Sequence, residues 1–577
     1  MDRFPGFACD DGVFGLARQH CRGFAGVIRP GANTPSLNLW HGGGAVALSA
    51  ASRERTVIVT GAHRHGAALS TARQVADGTE APATLTLADG GRGGAFVVHD
   101  ALSGALVLGR DRAGIMPLYL SVRADRIAFA TELGALAALQ QGDTELDADV
   151  LAMYLDHGFS AGCRTPLAGV RRVAPGEIIH IDKRLQLTRQ PAATLSPTTR
   201  FDGSFADAAA QFGPLFDAAV AAHRDPDQPC SLLLSGGLDS ALICTSLTRT
   251  ARAPVHTYAV AYDFTQKREE LADARRIATL CGTTHTELRL SQNALWRHLP
   301  WTVWRTDELM DDHAALATSL AARQLPSDTA VFTGEGADDV FAGDGQYRRH
   351  AMQRWFAGLL TPRSGGWHTR GLLDRRQRQR LFGAALRAAD RARRDDLNGA
   401  WASASCRASW LQRAQASELE SIFPNTLALK VGRSFDGAAH SVHMPFLDPR
   451  VVRFGLALDD RLKVRARTGK VFLREWACAR LPRDHVFKRK RGFFMPVSQL
   501  LQGERLDRLE PVLCASTFVA QWLNPAGVAD LFSAHRATGN HAKTLWRLLQ
   551  AAIWFSLFVV SPGACPTPSE DPLDWIL

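Results

Sequence analysis

Short apolar runs bounded by Gly, Asp and Arg turns fill the first third of the chain. Thr56–Thr60, Gly94–His99, Ala105–Leu108 and Arg126–Ala130 each read as a β-strand, and together they predict a layered, sheet-rich domain. A polar stretch rich in Pro and Thr, residues 186–204, reads as a linker. Beyond it the pattern changes to apolar runs alternating with 3.6-period segments: strand 231–234, helix 239–249, strand Val255–Val260, helix Glu269–Leu280 and strand Ala330–Thr333. This β-α-β-α order predicts a parallel sheet wrapped by helices. Ala551–Val560, with Ile553, Trp554, Phe555, Leu557 and Phe558, reads as a buried helix. The tail from Ser561, with Pro562, Pro566, Pro568 and Pro572 among acids, reads as loosely ordered. No uninterrupted apolar run reaches the roughly 18 residues a membrane span needs, so no membrane partner is expected.

Length and charge refine this picture. At 577 residues with 46% hydrophobic content, the chain is long enough for at least two packed cores. The net charge of +10 suggests nucleic acid until it is located: residues 345–415 hold fifteen Arg, no Lys and four Asp, leaving the rest of the chain close to neutral. Arg375, Arg376, Arg378 and Arg380, then Arg391, Arg393 and Arg394, sit at helical spacing among Ala and Leu. They form either a solvated helix face or a docking surface for an acidic peptide or partner. No aromatic-interleaved pattern accompanies them, so nucleic acid is not the expected partner. The ten cysteines form no CxxC pair and no charged-then-apolar signal opens the chain. These features point to a cytoplasmic, reducing setting, with the cysteines as core packing.

The strongest chemical signal is Ser231–Ser240, SLLLSGGLDS. An apolar strand ends at Leu234, Ser235-Gly236-Gly237 breaks it, and a helix begins near Ser240. Two glycines let backbone amides face inward, and a helix start adds free N–H groups and partial positive charge, so the loop suits a phosphate. Ser235 and Ser240 add hydroxyl donors. Asp239 would repel phosphate, and its natural task is to hold a Mg²⁺ that bridges to the phosphates. The loop resembles the pyrophosphate-binding loop of the ATP-pyrophosphatase superfamily, whose members cleave ATP between the α and β phosphates. The resemblance implies products AMP and pyrophosphate, with ATP and Mg²⁺ as cofactors.

The flanking segments narrow the resemblance. Gly109–Tyr119 (GRDRAGIMPLY), Phe129–Leu136 (FATELGAL) and Arg172–Glu177 (RVAPGE) resemble the glutamine-amidohydrolase domain of asparagine-synthetase-type enzymes. The family's nucleophile is a cysteine directly after the initiator Met, and position 2 here is Asp2. Cys21 could replace it only after cleavage of a leader. The family's glutamine-holding Arg-Gly-Pro-Asp and Asn-Gly-Glu segments have no match between His41 and Asp100. The expected architecture is therefore α/β: a degenerate amidotransferase-like domain over 1–190 with the Ntn-hydrolase-like αββα sandwich, and an ATP-pyrophosphatase parallel-sheet domain over 205–560. The second would carry an Arg-rich helical insertion at about 345–415 and be followed by the 561–577 tail.

Within the second domain, Gly334–Asp339 (GEGADD) follows a strand, where an α/β sheet places ligand loops. Asp338 is the expected second Mg²⁺ carboxylate opposite Asp239, and Glu335 a candidate general base. Val260, Thr333 and Gly334 complete the nucleotide-binding set with Leu234, Ser235, Gly236, Gly237, Asp239 and Ser240. Lys430–Ser434 and Met444–Asp448 match the family's substrate-pocket segment, but Gly432, Ser441 and His443 replace charged residues. A pocket for free aspartate needs such charges; a peptide side-chain carboxylate does not. Lys470–Arg474 and Arg489–Pro496 match the closing loop, with Lys490 the expected cation at the α-phosphate and the tetrahedral intermediate.

A degenerate glutaminase domain joined to a retained adenylating domain resembles the cyclases of lasso-peptide biosynthesis. The resemblance implies macrolactam formation between the N-terminal amine of a leader-trimmed precursor peptide and an Asp or Glu side chain, with a leader peptidase as partner. Ammonia-dependent asparagine synthesis and a β-lactam synthetase-like reaction are the alternatives.

Overall fold

The computed structural model describes residues 22–577 except 30–35, 42–44, 51–54, 61–65, 83–92, 141–143, 193–194, 196–199, 265–267, 328, 350, 362–363, 368–370, 390–400, 402–407, 439 and 490–494. The strands run β1 Phe24–Arg29, β2 Ser36–His41, β3 Ala45–Ala50, β4 Arg55–Thr60, β5 Ala95–Asp100, β6 Ala105–Arg110, β7 Tyr119–Val122 and β8 Ile127–Ala130, then β9 Val170–Arg172, β10 Ile178–Ile181 and β11 Leu187–Gln190. They form two antiparallel sheets, ordered β2-β1-β8-β7-β9 and β11-β10-β6-β5-β4-β3. Side-chain alternation explains why the sheets stack. Phe24, Ile28, Leu120 and Phe129 from the first sheet meet Ile58, Val97 and Leu108 from the second in one core. The opposite faces of the same strands turn outward: Val57, Val59, Phe96 and Val98 cover the helix Gly66–Ala76, while Ala25, Val27, Tyr119 and Ala130 pack towards helices Leu133–Leu139 and Ala148–His157. The layers are helix, sheet, sheet, helix, as expected.

The second domain holds β12 Cys230–Leu233, β13 Val255–Tyr262, β14 Thr284–Leu290, β15 Ala330–Phe332 and β16 Ser441–His443 in a parallel sheet ordered β14-β13-β12-β15-β16. The chain moves outward from β12 through β13 to β14, then returns to the other side of β12. That reversal creates a crevice between the carboxyl ends of β12 and β15, where doubly wound sheets bind ligands. The loops leaving those two strands are SGGLDS and GEGADD.

Several expectations need correction. Residues 187–190 of the supposed linker are β11, paired with β10 along Ile178–Ile181. The tail is docked: Leu573 and Ile576 are buried, Asp571 caps the turn Pro572–Trp575, and the Leu577 carbonyl accepts from the Thr517 amide at 2.8 Å. Its prolines interrupt regular structure, but the two apolar side chains still find the core. The C-terminal helix starts earlier than its densest apolar run, at Ala542, and runs to Phe555. Ala542–Val560 is long and apolar enough to cross a membrane by length and composition, yet it is mostly buried, with Trp546 and Trp554 inaccessible. The Arg-rich segment is not a single appendage. Helix Arg375–Leu381 keeps Arg375, Arg376 and Arg380 in solvent, while Arg378 reaches the buried Asp156 carboxylate at 3.1 Å. Arg391, Arg393 and Arg394 lie outside the described residues. Among the described cysteines, Cys230 and Cys244 are buried and five others only partly so.

Buried ion pairs join the two domains. Arg172 donates to Glu308 at 2.6 and 2.8 Å and to Ser160 Oγ. Arg433 donates to the Thr131 carbonyl at 2.6 Å and to Asp307 at 3.2 Å, and Asp307 also accepts from the Leu133 amide. Charges this deep persist only when partnered.

Candidate active site at the sheet crevice

Leu234 leaves β12 with its amide still bonded to the Tyr258 carbonyl, and the chain then turns through Gly236 at φ 73°. A Cβ at Gly236 would approach the Glu270 carbonyl to 2.6 Å, so glycine is required twice over. Helix Leu238–Thr250 begins at Gly237 with no side-chain cap. Its first amides are therefore available to a ligand at the positive end of the helix. Ser235 is exposed at the loop tip, 3.2 Å in Oγ–Oγ distance from the buried Ser240.

Asp239, in the first turn of that helix, and Asp338, after β15, converge on one ammonium. Lys470 Nζ lies 2.7 Å from both Asp239 carboxylate oxygens and 2.8 Å from Asp338 Oδ1. The approach depends on two glycines: a Cβ at Gly334 would sit 2.9 Å from Asp239 Cβ, and one at Gly343 would be 2.4 Å from Lys470 Cε. Lys470 itself is buried at φ 54°, a left-handed conformation unusual for a side-chain-bearing residue and most often found where function demands it. Two hard carboxylates that share a single cation position fit Mg²⁺, which is typically held by one or two carboxylates plus substrate phosphates.

Glu335 and the two aspartates of GEGADD point in three directions. Glu335 remains partly exposed, its Oε1 accepting from Lys430 Nζ at 2.9 Å, and Lys430 also pairs with Asp312 at 2.9 Å. Burial opposes the Lys430 charge, but Asp312 and Glu335 outweigh it and hold the ammonium above the ordinary lysine range. Asp338 faces Lys470. Asp339 turns into the fold beneath the Tyr347 hydroxyl, where burial first, and then the neighbouring acids Glu418 and Asp344, push its carboxyl well above the usual carboxylate range. The backbone there is held by Gln415, which donates to the Asp339 and Val340 carbonyls and accepts from Lys463.

The structure brings Leu234, Ser235, Gly236, Gly237, Asp239, Ser240, Thr333, Gly334, Glu335 and Asp338 to the crevice. Thr333 is buried at the exit of β15, its amide on the His443 carbonyl at 3.0 Å. Val260 is on the next strand, paired with Leu288. Lys490 lies outside the described residues, but the chain entering its segment is anchored at the crevice. Lys488 pairs with Asp273, whose Cβ is 3.1 Å from where a Cβ on Gly236 would sit, and Arg474 donates to the Val486 carbonyl.

Two features differ from the sequence-based picture. Gly432 does not face a substrate: a Cβ there would meet the Ile115 carbonyl at 2.8 Å, so the residue lets the helix Leu427–Gly437 lie against the N-terminal domain. Ser441 and His443, two apart on one face of β16, bond to each other at 3.1 Å, and His443 stacks on Phe332 at 5.0 Å. Lys470 and Lys430 were legible in the sequence only as parts of motifs. Nothing local marks a lysine as the partner of carboxylates 231 and 95 residues away.

Comparisons with known proteins identify the family of each domain. Residues 211–556 match the family model described as asparagine synthase, and residues 91–190 match a glutamine amidotransferase domain. Asparagine synthetase [glutamine-hydrolyzing] 1 of Bacillus subtilis (strain 168) is 25% identical over 499 residues, covering 80% of this chain and 77% of that protein. Asparagine synthetase [glutamine-hydrolyzing] 3 of the same organism is 24% identical over 433 residues, 69% of this chain and 66% of that protein. Amidase chyE of Penicillium rubens is 26% identical over 279 residues, 44% of this chain and 40% of that protein. The chain belongs to the asparagine synthetase family and is an ATP-dependent, AMP-forming carbon–nitrogen ligase.

Proposed function

We propose that the enzyme activates a side-chain carboxylate of a leader-trimmed peptide and joins it to that peptide's own N-terminal amine, closing a macrolactam. The observation that carries this reading is the Ser441–His443 pair. Its two side chains hydrogen-bond each other and His443 stacks on Phe332, so neither of these two positions offers a fixed charge to the α-amino or α-carboxylate group of free aspartate. The degenerate glutamine-holding segments between His41 and Asp100 support it, because an enzyme without glutamine hydrolysis must take its amine elsewhere. A leader peptidase and a cytoplasmic setting follow from the same reading.

The residues at the crevice support a sequence of steps for this reading. The loop Ser235–Ser240 and the uncapped start of helix Leu238–Thr250 cradle the phosphates of ATP. Asp239 and Asp338 would hold Mg²⁺, which supplies charge neutralisation on the departing pyrophosphate. The peptide carboxylate oxygen attacks the α-phosphorus as the bond to pyrophosphate breaks. Lys470, and Lys490 from the closing segment, offset negative charge as it develops. The N-terminal amine then attacks the acyl carbon, AMP leaves, and the amine's proton passes to Glu335, held in place by Lys430. Holding amine and carboxylate on one folded peptide makes this second step effectively unimolecular.

The test is pyrophosphate release measured with candidate linear peptides carrying a free N-terminal amine and an internal Asp or Glu, against aspartate plus ammonia as control. Peptide-dependent release accompanied by loss of one water mass from the peptide is expected. Release with aspartate and ammonia alone would replace this reading with asparagine synthesis, the reaction for which the Bacillus subtilis relatives are named.

A further inference from the structure

The helix Ala351–Leu360 presents an apolar ridge to solvent. Met352, Trp355, Phe356, Leu359 and Leu360 recur at i, i+3, i+4, i+7 and i+8, one helical face, and are between 56% and 81% exposed. The opposite face is firmly seated. Gly358 faces the Gly366 amide, a Cβ on Gly366 would strike the Arg354 carbonyl at 2.4 Å, and the Arg354 guanidinium stacks over Trp410 at 4.2 Å. Trp367, Trp401, Leu411 and Ala414 form a small core under this region with Tyr347. The outward face is thus a held surface, and contiguous exposed apolar area of this kind marks an interaction site.

Charge decides what fits it. Arg348 and Arg349 immediately precede the helix, and Arg348 donates to the Arg467 carbonyl at 2.7 Å, which brings the turn carrying Arg465 and Arg467 alongside. Arg348, Arg465 and Arg467 are exposed and Arg349 partly so. The strip leads towards the crevice: the turn carrying Arg465 and Arg467 runs directly into Lys470, which holds Asp239 and Asp338. Arginines flanking an apolar ridge call for an occupant that carries both acidic and bulky apolar side chains. We infer that the ridge of Ala351–Leu360 and the adjoining arginines form an exosite for the peptide substrate, gripping a segment in which bulky apolar residues alternate with Asp or Glu. This inference rests on the peptide reading of the active site and extends it from the reacting atoms to substrate capture.

The probe is a fluorescein-labelled synthetic peptide alternating Leu and Trp with Asp and Glu. Its counterpart with Lys in place of the acids, and phosphatidylcholine/phosphatidylglycerol vesicles, serve as comparators. Anisotropy titrations of the full-length protein are expected to show binding of the acidic probe and not the basic one. The double variant Trp355→Ser/Phe356→Ser and, separately, Arg467→Glu should each weaken that binding about tenfold or more. Both should raise the peptide KM in pyrophosphate release while leaving the KM for ATP unchanged. The substituted side chains are solvent-facing, and an unchanged melting temperature checks that the fold is kept. Equal binding of both probes, or full binding by both variants, would overturn the exosite. So would vesicle capture lost in the variants without any peptide effect, or a sedimenting dimer abolished by them; these would assign the face to a membrane or to self-association. Peptide-dependent pyrophosphate release with unaltered KM in the variants would refute the exosite and leave the proposed activity standing. Release with aspartate and ammonia alone would refute the activity.

Discussion

Lys470 shows how one residue can hold a site together. Two carboxylates whose charges repel are brought onto one buried ammonium, so the aspartates are pre-positioned for a cation. Replacing Lys470 with Met should cut peptide-dependent ATP–pyrophosphate exchange by about two orders of magnitude, a typical cost for losing one preorganised charge. Glu335→Gln should behave differently. If Glu335 takes the amine's proton, the variant keeps exchange and loses product formation about a hundredfold, a split readable by comparing exchange with peptide mass. A third residue-scale prediction concerns His298, which is fully buried. Its Nδ1 faces the Pro568 carbonyl, which can only accept, so Nδ1 carries the proton and Nε2 accepts from Ser319. Burial lowers its pKa from 6.5 to about 4. The folded protein therefore binds this proton less readily than the unfolded chain, and the stability contribution is full above about pH 6.5 and is lost as pH falls through about 4. The loss approaches roughly 3 kcal/mol. Melting temperature measured between pH 7 and pH 4 should fall less steeply for His298→Gln than for the parent.

Elements succeed or fail here by close approach. The helix Leu427–Gly437 carries Lys430 towards Glu335 and Arg433 into the domain interface, and it lies close enough to the N-terminal domain because residue 432 has no side chain. Gly432→Ala should destabilise by about 1–3 kcal/mol through overpacking against the Ile115 carbonyl, seen as a lower melting temperature. It should also reduce activity by displacing Lys430. Strands β12, β13 and β15 of the parallel sheet and the helices that follow the first two were legible to within a few residues because each is a continuous apolar run or a 3.6-period segment, whereas β14, half exposed with alternating polar residues, and the three-residue β16 were not. β11 was not either, since three of its four residues are exposed and polar. The tail misled for the converse reason: its composition is that of a loose segment, while two buried side chains and a cap decide its position.

At the scale of the molecule, buried charges make the two domains interdependent. Arg172→Met leaves Glu308 buried and unpaired, a loss of about 3–5 kcal/mol, whereas Arg172→Met/Glu308→Leu should recover most of it; calorimetry of the two variants distinguishes a paired charge from simple packing. The N-terminal domain, whatever its catalytic fate, is thereby a structural partner of the synthetase domain through Arg172–Glu308 and Arg433–Asp307. Sequence alone determined the two-domain order, the parallel sheet, the phosphate loop and the candidate acids Asp239, Asp338 and Glu335, because each is written in local periodicity or in residues a few positions apart. Tertiary structure decided what those residues face. It turned Asp338 to Lys470 and Asp339 inward, placed Lys430 beside Glu335, directed Gly432 to the domain interface, and exposed the apolar side chains of Ala351–Leu360. Those outcomes depend on which side chains are brought within a few ångströms across long stretches of chain, and a local pattern of apolar and polar positions carries no record of such distances.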